Sequence, residues 1–128
     1  AIEFNRLMED KGVSGYSVHP GGINTSLQRH LKTEEMVALG WMKDDGSPSD
    51  LAKNFFKTTS QGAATTLWCA TSSDLNDIKG VFCEDCDVAK RKSEIDVSMQ
   101  RYFGVADWAV DSDEALKLWE ITKKTIEL

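Results

Sequence analysis

The residues richest in chemical possibility are Val18-His19-Pro20-Gly21-Gly22-Ile23-Asn24-Thr25. A β-branched and aromatic run from Val13 to His19 predicts a strand, and Pro20-Gly21-Gly22 ends it. Open α/β sheets bind their ligands at the carboxyl ends of parallel strands. Two glycines there let the backbone approach a flat ligand, because no Cβ stands in the way. The amides and carbonyls that follow can pair with a carboxamide, and the Thr25 hydroxyl can donate or accept. On these residues alone a plain Pro-Gly turn is the more ordinary account of the string, since Pro and Gly collect in turns.

Other reactive groups carry less. Cys83-Glu84-Asp85-Cys86 is a lone CxxC. A structural zinc site needs four ligands; no second pair follows, and His19 and His30 lie far upstream, so no metal site is expected. Thioredoxin-like chemistry places such a pair at the start of a helix, whereas this one follows a strand. Two ordinary thiols near a sheet end are expected instead. His19 reads as a hydrogen-bonding residue at a strand end. The acidic residues from Glu84 to Asp96 are interspersed with Lys90-Arg91-Lys92 and form a solvated face. Trp108 and Trp119 are expected to anchor a core or an interface.

The elements that must position these groups follow from periodicity and caps. Ile2, Phe4, Leu7 and Met8 predict an opening helix with Glu3 and Arg6 largely opposite, stopped at Lys11-Gly12. Helix, strand and Gly-rich turn form half of a βαβ unit, so a parallel sheet is expected. Residues 26–57 are broken repeatedly by Gly40, Asp44-Asp45-Gly46 and Ser47-Pro48-Ser49. Short helices are expected up to Leu31, behind Thr25 or Ser26, and from Thr33 to Leu39. The segment nevertheless carries Met36, Leu39, Trp41, Met42, Leu51, Phe55 and Phe56, so it reads as a mobile, partly apolar excursion. Thr58 and Gln61 predict a capping box for a helix with Ala63, Ala64, Leu67, Trp68 and Ala70 on its apolar side, fading at Ser72-Ser73. Gly80-Val81-Phe82 predicts a second short strand, and 87–96 an irregular stretch. Asp111 and Glu114 open a last helix, with Ala115, Leu118 or Trp119, Thr122 and Ile126 expected inward.

Taken together, these pieces resemble the classical short-chain dehydrogenase/reductases. Pro20-Gly21-Gly22-Ile23-Asn24-Thr25 is similar to their Pro-Gly-x-(Val/Ile)-x-Thr motif, which follows the sixth strand of a Rossmann sheet. Ala1 to Leu7 resembles the end of the helix bearing Tyr-x-x-x-Lys, and Gln61 to Trp68 the helix after the substrate loop. Gly80 to Cys86 resembles the last strand and its exit. Ala115-Leu116-Lys117-Leu118-Trp119-Glu120 looks like the C-terminal helix of the retinol-dehydrogenase and WW-domain-oxidoreductase branch. The resemblance implies an α/β fold: the C-terminal half of a doubly wound parallel sheet, about two strands with flanking helices. It implies that residues 1–128 form the C-terminal segment of one NAD(P)-binding domain, with 25–60 as substrate loop and lid and the N-terminal half absent. It assigns Pro20, Gly21, Ile23 and Thr25 to NAD or NADP, the backbone of Ile23 holding the carboxamide. Trp41, Met42, Phe55 and Phe56 become candidate contacts to a small lipophilic alcohol or carbonyl substrate.

The departures are as informative. No glycine-rich dinucleotide fingerprint is present, and the residues four after Tyr16 and Tyr102 are Pro20 and Ala106, not Lys. In the family the tyrosine is the general acid/base and the lysine lowers its pKa, so this chain alone is expected to be inactive and not to bind the cofactor. No catalytic residue is therefore assigned. The second reading is a degenerate, non-catalytic dehydrogenase-like subunit in a larger assembly. In either case the missing half or a partner protein is expected to complete the sheet.

Composition fits both readings. Apolar residues make up 41% of 128, ordinary for a globular chain, and no run of about 20 apolar residues occurs. The net charge of −6 argues against a nucleic-acid partner. Three cysteines do not make a paired disulfide framework, which favours a reducing intracellular compartment.

Overall fold

A computed structural model describes residues 1–126. The chain is α/β, with a small mixed sheet of three strands ordered β1-β2-β3. It divides into two compact units, residues 1–19 with 65–128, and residues 20–64.

In the first unit, helix α1 (Ile2–Met8) continues as a 3-10 turn to Lys11 and ends on Gly12, whose φ of 65° is the left-handed stop that the sequence suggests. The expected sidedness of α1 does not hold: Glu3 and Asn5 are buried and Leu7 is exposed. The reason is polar satisfaction. Asn5 Nδ2 donates to the carbonyls of Ala1 (2.8 Å) and Gly15 (2.7 Å), and its Oδ1 accepts from the Gly15 amide (3.1 Å). Glu3 takes two bonds from Arg6 (2.7 and 2.8 Å), and that guanidinium holds its carboxyl below the usual range. A buried polar group with its partners in place costs little, so apolar periodicity is overruled here.

β1 (Ser17–His19) pairs in parallel with β2 (Phe82–Glu84), placing Ser17 beside Phe82, Val18 beside Cys83 and His19 beside Glu84. The parallel pairing of these two strands is as expected, although β1 is shorter than the predicted run and β2 begins two residues late. A third strand was not expected. β3 (Asp87–Val88) returns antiparallel to β2 through the two-residue turn Asp85-Cys86, with φ of 52° and 58°. Positive φ at both central residues is the hairpin turn whose twist matches its strands.

The core of this unit is small. Cys83 is wholly buried, with Leu75, Val105 and Thr65. Burial, reinforced by the neighbouring Cys69, pushes the Cys83 thiol up to about 12. The Thr65 hydroxyl accepts from the Cys86 amide (3.2 Å), fixing the hairpin turn to α4 (Thr59–Thr71). Glu84 ties the sheet end down, accepting from the Gly104 amide (2.8 Å) with His19 Nδ1 at 4.0 Å. Asp111 caps the last helix, α5 (Ser112–Thr125), as predicted. Its inward face is narrower than expected. Ala115 and Trp119 are half-buried, while Leu118 (66% exposed), Thr122 and Ile126 (56%) face solvent. α5 packs on α1 through one stripe, which leaves a second apolar stripe uncovered. Among the described residues no helix is long and apolar enough to cross a membrane.

Candidate functional site

The unit 20–64 begins where β1 ends. Gly21 has a φ of 86°, open only at strain to other residues, so the turn needs glycine. The room left by the glycines is used by the chain itself. A Cβ on Gly21 would stand 2.8 Å from Lys57 Cε and Nζ, and one on Gly22 would stand 2.7 Å from the Phe55 ring. The Lys57 amide donates to the Gly22 carbonyl (2.8 Å), and Ile23 and Lys57 form a parallel bridge. The Ile23 side chain sits where a Cβ on Gly62 would be, 2.7 Å away. Ile23 thereby commits its side chain to α4. Its carbonyl already accepts from Gln28 Nε2 (2.8 Å), which leaves a second lone pair.

Thr25 closes the turn as a helix cap. Its hydroxyl accepts from the Leu27 amide (3.2 Å), and its amide donates to Gln28 Oε1 (2.7 Å), opening the 3-10 turn Ser26–His30. A ligand touching this hydroxyl shares it with the cap. Pro20 is exposed and Gly21 half-buried, so the rim of the turn is open.

The apolar excursion has internal order. α2 (Thr33–Ala38) leads to a small hairpin in which the Lys43 amide donates to the Ser47 carbonyl (2.8 Å) and the Ser49 amide to the Trp41 carbonyl (3.0 Å). Ser49, which reads as a breaker in the sequence, caps α3 (Asp50–Phe55) by accepting from the Ala52 amide (3.0 Å). Trp41 meets Phe56 edge-on at 5.3 Å. These elements enclose a cavity of about 70 Å³ lined by Asn24, Gln28, Met36, Trp41, Met42, Pro48, Ala52 and Phe56.

Three of the four substrate candidates, Trp41, Met42 and Phe56, thus share one cavity. Phe55 is not in its lining; it lies against Gly22, 6.2 Å from the Phe56 ring. Lys57 over Gly21 and Ala52 in the cavity were missed by sequence reasoning. Neither residue type announces such a role, and only the helical register behind the Ser49 cap would have turned Ala52 inward. The CxxC does not form a pair: Cys83 is buried in β2, Cys86 is exposed in the hairpin turn, and both are free thiols. Among the described residues no group of three or more His, Cys, Asp or Glu is placed to hold a metal ion.

No protein-family model matches the chain, and no solved structure matches it. Curated proteins do. The chain is 37% identical over 126 residues to a short-chain dehydrogenase/reductase of Penicillium roqueforti, covering 98% of this chain and 34% of that protein. It is a short-chain dehydrogenase/reductase-like region. The same dehydrogenase/reductase-like region is 34% identical to retinol dehydrogenase 12 of Mus musculus over 66% of this chain and 23% of that protein. It is 29% identical to the WW domain-containing oxidoreductase of Gallus gallus over 97% of this chain and 24% of that protein. It therefore spans between about a quarter and a third of the length of these relatives.

Proposed function

We propose that this region forms the nicotinamide- and substrate-facing part of an NAD(P)-dependent oxidoreductase that interconverts an alcohol and a carbonyl on a lipophilic substrate. One observation carries the reading: the turn that leaves a parallel strand at His19 runs, through Asn24, into the wall of an apolar cavity. A polar, glycine-bearing bend next to an apolar pocket suits a substrate with one reacting polar end.

In this reading Pro20, Gly21 and Ile23 shape the nicotinamide side of the pocket. The main chain of Ile23 holds the carboxamide, as the family resemblance implies, while its side chain packs on Gly62. Thr25 keeps the bend in register through its cap and contacts the carboxamide or pyrophosphate. NAD or NADP, when bound, supplies the hydride acceptor or donor. Trp41, Met42 and Phe56 contact the apolar part of the substrate, and Phe55 backs the turn. Residues 25–60 act as a lid that excludes water. The name of retinol dehydrogenase 12 supports a lipophilic alcohol or aldehyde as the substrate class.

The fold reading goes with it. β1 has a neighbour on one side only among the described residues, parallel sheets are ordinarily covered on both faces, and an unpaired strand edge is open to a further strand. Further parallel strands along the open edge of β1, bearing the glycine-rich turn, complete a doubly wound sheet, and the Tyr-x-x-x-Lys acid/base pair comes from the same source. Neither motif occurs in these residues.

Steady-state kinetics test the proposal. The full-length protein, given NADPH or NADH and a panel of medium- and long-chain aldehydes, is expected to oxidise the reduced cofactor with saturable dependence on the aldehyde. Cofactor-independent behaviour across the panel, in both the reductive and the oxidative direction, would overturn it.

A further inference from the structure

Resting on that reading and deepening it, we infer that the 70 Å³ cavity is a subsite for the unbranched alkyl end of the substrate, with Ala52 setting how much chain it takes. Its walls are fixed by backbone hydrogen bonds. The hairpin carrying Trp41 and Met42 is closed by the Lys43–Ser47 and Ser49–Trp41 bonds, and α3 is held to the hairpin's end by the Ser49 cap on Ala52. Trp41 and Phe56 brace each other edge-on, so the cavity does not need a ligand to exist.

Chemistry and size select the occupant. The polar residues lie where the cavity meets the turn. Gln28 is engaged with the turn at both ends, accepting from the Thr25 amide and donating to the Ile23 carbonyl. A hydroxyl placed among Met36, Trp41, Met42, Ala52 and Phe56 would lose its water partners without replacement, whereas methylenes lose nothing. At about 70 Å³ the cavity has room for a short stretch of alkyl chain and not for a ring system. Met36 and Met42 can adapt to shape. Ala52 cannot yield. It is buried on α3, its amide is tied to Ser49, and every larger side chain there occupies the volume that the substrate's end would take.

Two variants of opposite sign test this in the full-length protein. Ala52→Leu fills the cavity, and Met36→Ala widens it. In an apolar pocket one methylene is worth about tenfold or more in kcat/KM. Ala52→Leu is therefore expected to lower the ratio of kcat/KM for hexanal over acetaldehyde by about tenfold. Met36→Ala is expected to raise the ratio for the terminally branched 5-methylhexanal over hexanal. A cofactor-free readout separates this inference from the reading beneath it. Saturation-transfer NMR with 1-hexanol is expected to label the terminal methyl most strongly in the wild type and to lose that label in Ala52→Leu. If no aldehyde is reduced but the methyl label appears and is lost in Ala52→Leu, the oxidoreductase reading falls and the subsite stands. If aldehydes are reduced while both ratios stay unmoved, or if the methyl takes up no label in the wild type, the subsite is overturned.

Discussion

At the scale of single residues, Asn5 does more for the first unit than its apolar neighbours on α1. It joins the helix to the segment before β1 through both halves of its amide. Replacing Asn5 by Ala leaves the Gly15 amide and carbonyl without these partners, and a loss of roughly 2–3 kcal/mol is expected in urea denaturation. Gly21 is a backbone requirement of a different kind. Gly21→Ala forces a side chain into the left-handed region and against Lys57, and a loss of roughly 1–2 kcal/mol is expected from the same measurement. The thiols separate by environment. Cys86 is exposed and should react first with a thiol reagent, while buried Cys83 should react only as the chain opens. The sign of the pH effect follows from proton binding. Cys83 keeps its proton to about 12 when folded against an ordinary value of 9.0, so the folded chain holds the extra proton between the two. Stability from this thiol is complete below 9.0 and is lost as the pH rises toward 12. Cys83→Ala is expected to flatten the alkaline arm of the stability curve.

At the scale of elements, caps decide where helices begin. Thr58 and Gln61 exchange bonds of 2.9 to 3.2 Å ahead of α4, and Thr58→Ala is expected to cost about 1 kcal/mol by thermal denaturation. Asp111 accepts from the amides of Asp113 and Glu114, and these bonds hold its carboxyl below the ordinary 3.8. A lowered folded value means that this stabilisation is present above 3.8 and is lost as the pH falls below it. Asp111→Ala is expected to lower the melting midpoint at neutral pH and to weaken its dependence on acid. The elements legible from sequence are the ones with such chemistry at their ends. Thr58 with Gln61 and Asp111 cap as read, Thr25 is the one of the pair Thr25 or Ser26 that caps, and Pro20-Gly21-Gly22 ends a parallel strand as read. β3 escaped notice because its turn is Asp85-Cys86, where glycine or asparagine would ordinarily announce a hairpin. α3 escaped because Ser49 stands behind a proline and served as a cap instead of a break. The buried Glu3 and Asn5 could not be seen from periodicity, which records apolar spacing and not the hydrogen bonds that let polar groups in. Of the candidate site, the turn and the aromatic weight were visible. The cavity was not, since it depends on how one hairpin and one short helix close together.

At the scale of the whole molecule, the sheet of the first unit offers an open edge at β1 among the described residues, and α5 offers exposed apolar residues at Leu118 and Ile121. Both are surfaces that a larger dehydrogenase-like fold would have reason to cover, and the relatives are several times longer than this region. The 128-residue region by itself is therefore expected to give no change in NADPH fluorescence on titration, where the full-length protein should bind. The most direct test of the central claim is a crystal structure of the full-length protein with its reduced nicotinamide cofactor. The nicotinamide carboxamide is expected against the main chain of Ile23, between Gly21 and Thr25, beside the cavity of Trp41, Met42 and Phe56. A cofactor bound with its nicotinamide away from the 20–25 turn would contradict the account.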